Sequence, residues 1–115
     1  MATSPITVHV LDTALGQAAS GVFVQLARVE SDTKLTHLAS GHTNAEGRLL
    51  DLLAPGSLQR GVYQLQFDTA AYFARTQRVG FYPSVCVTFE IRAEKEHYHV
   101  PLLLSPFGYS TYRGT

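Results

Sequence analysis

In one short segment after another, apolar residues of this chain return at every second position and then stop at a turn signal. Ile6 to Asp12 sets the pattern. Ile6, Val8 and Val10 fall on one face of an extended strand, and Thr7, His9 and Leu11 fall on the other. Leu15 to Gly21 reads as a turn, after which Val22, Val24 and Leu26 mark a second strand. Ser31-Asp32-Thr33 interrupts it, and Leu35 to Thr43 is a third. Asn44-Ala45-Glu46-Gly47 is a tight turn with glycine where positive φ is needed. Arg48 to Leu53 and Gly61 to Phe67 follow as the fourth and fifth strands, separated by the loop Ala54-Pro55-Gly56-Ser57. Beyond Pro83 come Val85 to Arg92 and Tyr98 to Leu104, and the turn Ser105-Pro106-Phe107-Gly108 leads into Tyr109 to Arg113. Only Thr69 to Thr76 reads as helix, with Asp68 as its N-cap. The pattern predicts an all-β chain: an eight-stranded antiparallel β-sandwich with one short helix, forming a single domain over residues 1–115.

Charge narrows the partners. Nine basic residues cancel nine acidic ones, so no basic surface for nucleic acid is expected. Only 16% of residues are charged, below the roughly 25% of an average soluble protein, which implies that some surface meets another subunit. No apolar run approaches the roughly 18 residues of a membrane span. The start, Met1-Ala2-Thr3-Ser4-Pro5, has neither the basic nor the apolar region of a secretory leader. The expected compartment is therefore the cytoplasm, with the periplasm as the alternative if a leader has been trimmed. The single cysteine, Cys86, lies in Val85-Cys86-Val87-Thr88-Phe89 and is expected as a buried, unreactive thiol.

The candidates for chemistry are few. His9 shares a face with Thr7 and Leu11, so it points away from the core; its plainest reading is a solvated or half-buried strand histidine. His97 and His99 stand two apart and share an outward face, opposite Tyr98, Val100, Leu102 and Leu104. A zinc site needs three or four ligands, and His-x-His with no nearby cysteine or acid falls short, so no metal is expected. Arg48 begins the strand after the Asn44–Gly47 turn. It is either solvated or, if it converges with the histidines, an anchor for a planar anion. Tyr112 comes beside His99 if the two last strands form a hairpin, and is otherwise an ordinary cross-strand aromatic. His37 and His42 lie in a polar stretch and are expected at the surface. No nucleophile elbow, phosphate loop or dinucleotide fingerprint is present.

Three ordered blocks carry a family resemblance across nearly the whole chain. They are Thr7-Val8-His9-Val10-Leu11-Asp12-Thr13-Ala14-Leu15-Gly16, Thr43-Asn44-Ala45-Glu46-Gly47-Arg48, and the stretch from His97 to the closing Tyr112-Arg113-Gly114-Thr115. Tyr63 to Phe67, Asp68 to Phe73 and Phe81-Tyr82-Pro83 also match. Together they resemble the transthyretin-like 5-hydroxyisourate hydrolases. Transthyretin itself shares the sandwich and the Ser-Pro-aromatic turn but lacks the histidines and the Tyr-Arg-Gly ending. The resemblance implies a two-sheet sandwich and a homotetramer, a dimer of dimers with active sites in a channel between dimers. It implies metal-free hydrolysis of 5-hydroxyisourate to 2-oxo-4-hydroxy-4-carboxy-5-ureidoimidazoline, without a cofactor. By motif position His9, Arg48, His99 and Tyr112 are implied as site residues. His9 or His99 would act as general base, Arg48 would bind the anion and stabilise developing charge, and Tyr112 would contact the ring. Thr115 stands where the family usually has serine, and its hydroxyl is a further candidate contact. The rival reading is a carrier on the same fold.

Overall fold

A computed structural model of the chain describes residues 4–115; the start, where no leader is expected, therefore lies partly outside the described residues. Two sheets pack face to face. One contains β1 (Ile6–Asp12), β2 (Gln17–Ala18), β5 (Arg48–Leu49), β8 (Tyr98–Ser105) and β9 (Gly108–Thr111). The other runs in the order β4 (Lys34–His42), β3 (Phe23–Ser31), β6 (Gly61–Phe67), β7 (Val85–Ile91). The alternation in the sequence decides which side chains meet between them. Val8, Val10, Leu102 and Leu104 from the first sheet and Val24, Leu26, Leu65 and Phe67 from the second are all but inaccessible to water. Each such side chain contributes about 1.5–3 kcal/mol by leaving water.

The eight expected strands are present, with two corrections. Within the stretch expected as a turn, Gln17 and Ala18 pair with Asp12 and Leu11, adding the two-residue strand β2. The sandwich is also not wholly antiparallel: β1 and β8 run parallel over seven residue pairs, from Ile6↔Tyr98 to Asp12↔Leu104. Pairing between segments some ninety residues apart is set by how the two ends of the chain meet in the core, not by any local pattern.

Cys86 is a third correction, for it is exposed. β7 is an edge strand whose inward face is Val85, Val87, Phe89 and Ile91, and strict alternation turns Cys86 to the opposite side. His37 and His42 are exposed, as expected. The helix α1 (Thr69–Arg75) forms where its residues predict, with the Asp68 carboxylate accepting from the Ala71 N–H at 3.1 Å. It buries Thr69, Tyr72 and Phe73 against the sandwich.

Asp12 falls on the core side of β1, and its side chain is fully buried. It accepts hydrogen bonds from Tyr72 Oη at 2.7 Å, from the Leu15 N–H at 3.0 Å and from the Arg78 guanidinium. Burial alone would raise this carboxyl's pKa, but the bonds from Arg78, Tyr72 and Leu15 outweigh it and hold the group below its ordinary value of 3.8. One buried acid thus fastens α1 and the loop after it to the strand that carries His9.

Candidate active site

β1 sits at the centre of its sheet, and its outward face gathers the chemistry. Its antiparallel pairing with β5 sets His9 opposite Arg48, and its parallel pairing with β8 sets Thr7 opposite His99. The turn before β5 makes the first of these registers possible. The Gly47 carbonyl accepts from the Val10 N–H at 2.7 Å while Gly47 holds a φ of 76°, which only glycine adopts without strain.

The rings of His9 and His99 lie 6.4 Å apart, centre to centre. His9 Nε2–H donates to the Glu46 carbonyl at 3.0 Å, so a neutral His9 keeps its lone pair on Nδ1. His99 Nδ1 and His97 Nε2 lie 2.8 and 2.9 Å from a single hydroxyl, that of Thr7. His99 Nε2 has no hydrogen-bond partner within the described residues. Because no buried side-chain nitrogen or oxygen there lacks one, this atom is within reach of solvent. A shallow pocket of about 290 Å³ opens at this point, lined by Thr7, Arg48, Leu50, His97, His99 and Thr115. Burial lowers the pKa of His99 below 6.5, and His9, Arg48 and His97 push it further the same way. His99 is therefore a neutral imidazole at neutral pH, with an unpartnered ring nitrogen on a side chain that lines a pocket shared with Arg48. Among the described residues no group of three or more His, Cys, Asp or Glu side chains is placed to hold a metal ion.

The last residues of the sequence are tied to the site. Gly114 bridges back to His99, its N–H donating to the His99 carbonyl at 2.8 Å. Arg113 donates to Glu96 at 3.0 Å and to the His97 carbonyl at 3.1 Å, and its guanidinium lies 4.3 Å from the centre of the Tyr98 ring. A Cβ at position 114 would stand 2.7 Å from His99 Cδ2. The glycine of the closing Tyr-Arg-Gly-Thr is thus explained by the imidazole packed on it. Gly114→Ala is expected to displace the His99 ring, cutting turnover about tenfold or more while the thermal midpoint moves little. Comparing kcat with Tm checks this.

Of the residues expected at the site, His9, Arg48, His99 and Thr115 come together. Tyr112 does not join them in the single chain. The hairpin of β8 and β9 forms, but Tyr112 lines a separate groove of about 490 Å³ with Val87, Phe89, Tyr98 and Val100. Thr7 and Gly114 carry no signal as site residues in the sequence, because their roles exist only through partners far away in the chain.

Fold and site define a β-sandwich with a paired-histidine, arginine-flanked pocket, a class of site suited to moving protons at a bound polar ligand. The chain belongs to the HIUase/Transthyretin family, whose model matches residues 6–114. It is 46% identical to the 5-hydroxyisourate hydrolase of Mus musculus over 114 residues, covering 98% of this chain and 97% of that protein. The structure of Klebsiella pneumoniae 5-hydroxyisourate hydrolase superposes with a TM-score of 0.85 at 37% identity, with full coverage of both chains. Sea bream transthyretin in complex with thyroxine superposes at 0.90 with 33% identity, covering 97% of this chain and 96% of that one.

Proposed function

We propose that this chain is a metal-free 5-hydroxyisourate hydrolase acting as a single domain. The observation that carries the reading is that His99 and Arg48 line one pocket on the outer face of β1, with the His9 ring 6.4 Å from that of His99 and its strand position opposite Arg48. A thyroxine carrier has no use for such a proton-transfer set, whereas ring opening of a cyclic amide needs it.

In the reaction proposed, Arg48 binds the anionic substrate through its paired N–H donors. His99 Nε2 takes a proton from a water molecule as the water oxygen bonds to the ring carbonyl carbon. The carbonyl oxygen becomes an oxyanion beside Arg48, whose charge stabilises it. The C–N bond then breaks as the carbonyl re-forms, the ring nitrogen receives the proton that His99 took up, and the new carboxylic acid loses its remaining proton to solvent, leaving a carboxylate on the product, 2-oxo-4-hydroxy-4-carboxy-5-ureidoimidazoline. His9, with its lone pair on Nδ1, faces the same substrate as an acceptor, and Thr115 supplies a hydroxyl at the rim. The chain assembles as a homotetramer, a dimer of dimers, supported by the low charge and by exposed Leu50, Phe81, Phe107 and Tyr109. Tyr112, 56% exposed, reaches substrate from a second copy in this reading. The cytoplasm is the proposed compartment; among the described residues no helix is long and apolar enough to cross a membrane.

The test generates 5-hydroxyisourate in place with urate oxidase and identifies the product by carbon-13 NMR, before and after dialysis against a chelator. Accelerated appearance of the ring-opened carboxylate, undiminished by chelation, supports the proposal. The same product rate with and without the protein overturns it, and loss of rate on chelation overturns its metal-free form. A pH series adds a second check. Since the neutral imidazole is the active form, kcat/KM should fall on the acid side through an apparent pKa below 6.5. Arg48→Gln removes a neighbouring positive charge and should move that midpoint upward.

A further inference from the structure

We infer that Thr7 and His97 form a proton relay behind His99, with Thr7 as the positioning residue that couples the two imidazoles. The inference rests on the hydrolase reading and adds to it a route for the proton that His99 collects.

The geometry starts from one hydroxyl between two rings. Thr7 Oγ1 lies 2.8 Å from His99 Nδ1 and 2.9 Å from His97 Nε2. A hydroxyl has one proton to give, and the buried Thr7 has no partner for it other than the two rings, so it donates to one ring nitrogen and accepts from the other. Two arrangements satisfy this. In the first, His99 Nδ1–H donates to Thr7 and the Thr7 O–H donates to His97 Nε2, leaving His99 Nε2 as a lone pair. In the second, His97 Nε2–H donates to Thr7, the Thr7 O–H donates to His99 Nδ1, and the His99 proton sits on Nε2. The first makes His99 a base toward the pocket; the second makes it an acid there.

Taking up a proton carries the site from one arrangement to the other. Water gives a proton to His99 Nε2; His99 Nδ1 passes its proton to Thr7 Oγ1, and Thr7 Oγ1 passes its own to His97 Nε2. Three N–H or O–H bonds form and three break, and one positive charge ends on His97. His99 is again neutral, now with a proton on Nε2 ready for the leaving ring nitrogen, and the return shift restores the start.

The surroundings explain why the charge should move on. His99 is half-buried and faces His9 and Arg48, both of which oppose a cation there. His97 is exposed, where water solvates a cation at little cost. At that end Glu96 and Arg113 are paired with each other at 3.0 Å, and Arg48 and Thr115 line the pocket that His97 shares with His99. Thr7 itself is 3% exposed, so no water competes for its two bonds. A buried threonine on the polar face of a strand, satisfied only by two histidines, has no packing role that valine would not fill.

The test compares Thr7→Val, Thr7→Ser and His97→Gln. Thr7→Val keeps the branched shape and should lower kcat about 100-fold with KM held within about twofold, which is the size of one acid–base contribution. Thr7→Ser restores the hydroxyl and should recover kcat to within about threefold. His97→Gln should lower kcat about tenfold or more and reshape the acid limb of the pH profile. Nitrogen-15 NMR of the ring nitrogens reads the relay without turnover: in the wild type the His97 and His99 titrations move together, and in Thr7→Val they separate. Unchanged kcat in folded Thr7→Val, a Thr7→Ser variant as slow as Thr7→Val, or ring titrations indifferent to Thr7→Val would each overturn the inference. If the wild type does not hydrolyse the substrate, the proposed function fails by that result alone, and the ring titrations still decide the coupling.

Discussion

Replacing His99 with alanine is expected to lower kcat by about 10²- to 10⁴-fold, the range spanned by a positioned general acid–base group. The expectation follows from the position of the ring. His99 is the one imidazole that has a nitrogen free toward the pocket, a second nitrogen fixed by Thr7, and a backbone held by both β1 and Gly114. Removing it deletes the base and frees the Thr7 hydroxyl, but leaves Arg48 in its register with His9. KM should therefore change far less than kcat. Single-turnover kinetics on the variant, with circular dichroism to show a native fold, separates this outcome from simple unfolding. A variant that keeps wild-type kcat would remove His99 from the mechanism.

The second large effect is on stability. Asp12→Ala should cost about 3 kcal/mol, because it leaves the Arg78 guanidinium and the Tyr72 hydroxyl, both turned toward the core, without their partner. For a domain of this size that is a drop in melting temperature on the order of 10 °C. The pH dependence has a definite sign. The Asp12 carboxyl is held below its ordinary 3.8 in the folded chain, so its contribution is whole at neutral pH. It is lost as pH falls below 3.8 and through the depressed folded value. The gap between wild type and Asp12→Ala in urea midpoint should accordingly narrow in acid. A gap unchanged from neutral pH to pH 3 would show that Asp12 acts through packing alone.

Strand alternation made much of this molecule legible in the sequence. It turned His9 outward between Val8 and Val10, put His97 and His99 on one side of their segment, and ended the third strand at a turn needing glycine. These are period-two facts, and they survive folding because each strand has one wet and one dry face. The same rule, applied strictly, would have placed Cys86 correctly; the general tendency of free cysteines to be buried misled there. The motif resemblance, not the spacing, pointed to Arg48 as a partner of the histidines, since the β1–β5 register that sets it opposite His9 depends on a turn geometry no local count reveals. Beyond local reach the sequence was silent. Nothing near Thr7 announces that residues 90 and 92 positions later will share its hydroxyl. Nothing near Asp12 announces Tyr72 and Arg78, and a two-residue strand such as β2 is shorter than any periodicity. Tyr112 shows the opposite failure: the hairpin was legible, but β9 ends at Thr111, and Tyr112 and Arg113 line the groove beside β7 before Gly114 pairs again with His99.

The most direct measurement is the initial rate at which 5-hydroxyisourate, generated by urate oxidase, disappears in the ultraviolet with wild-type protein and with His9→Ala side by side. Rapid loss is expected with the wild type and a markedly slower loss with the variant, which lacks the acceptor beside His99. Loss no faster than in buffer with folded wild type, or undiminished loss with His9→Ala, would contradict the proposed mechanism.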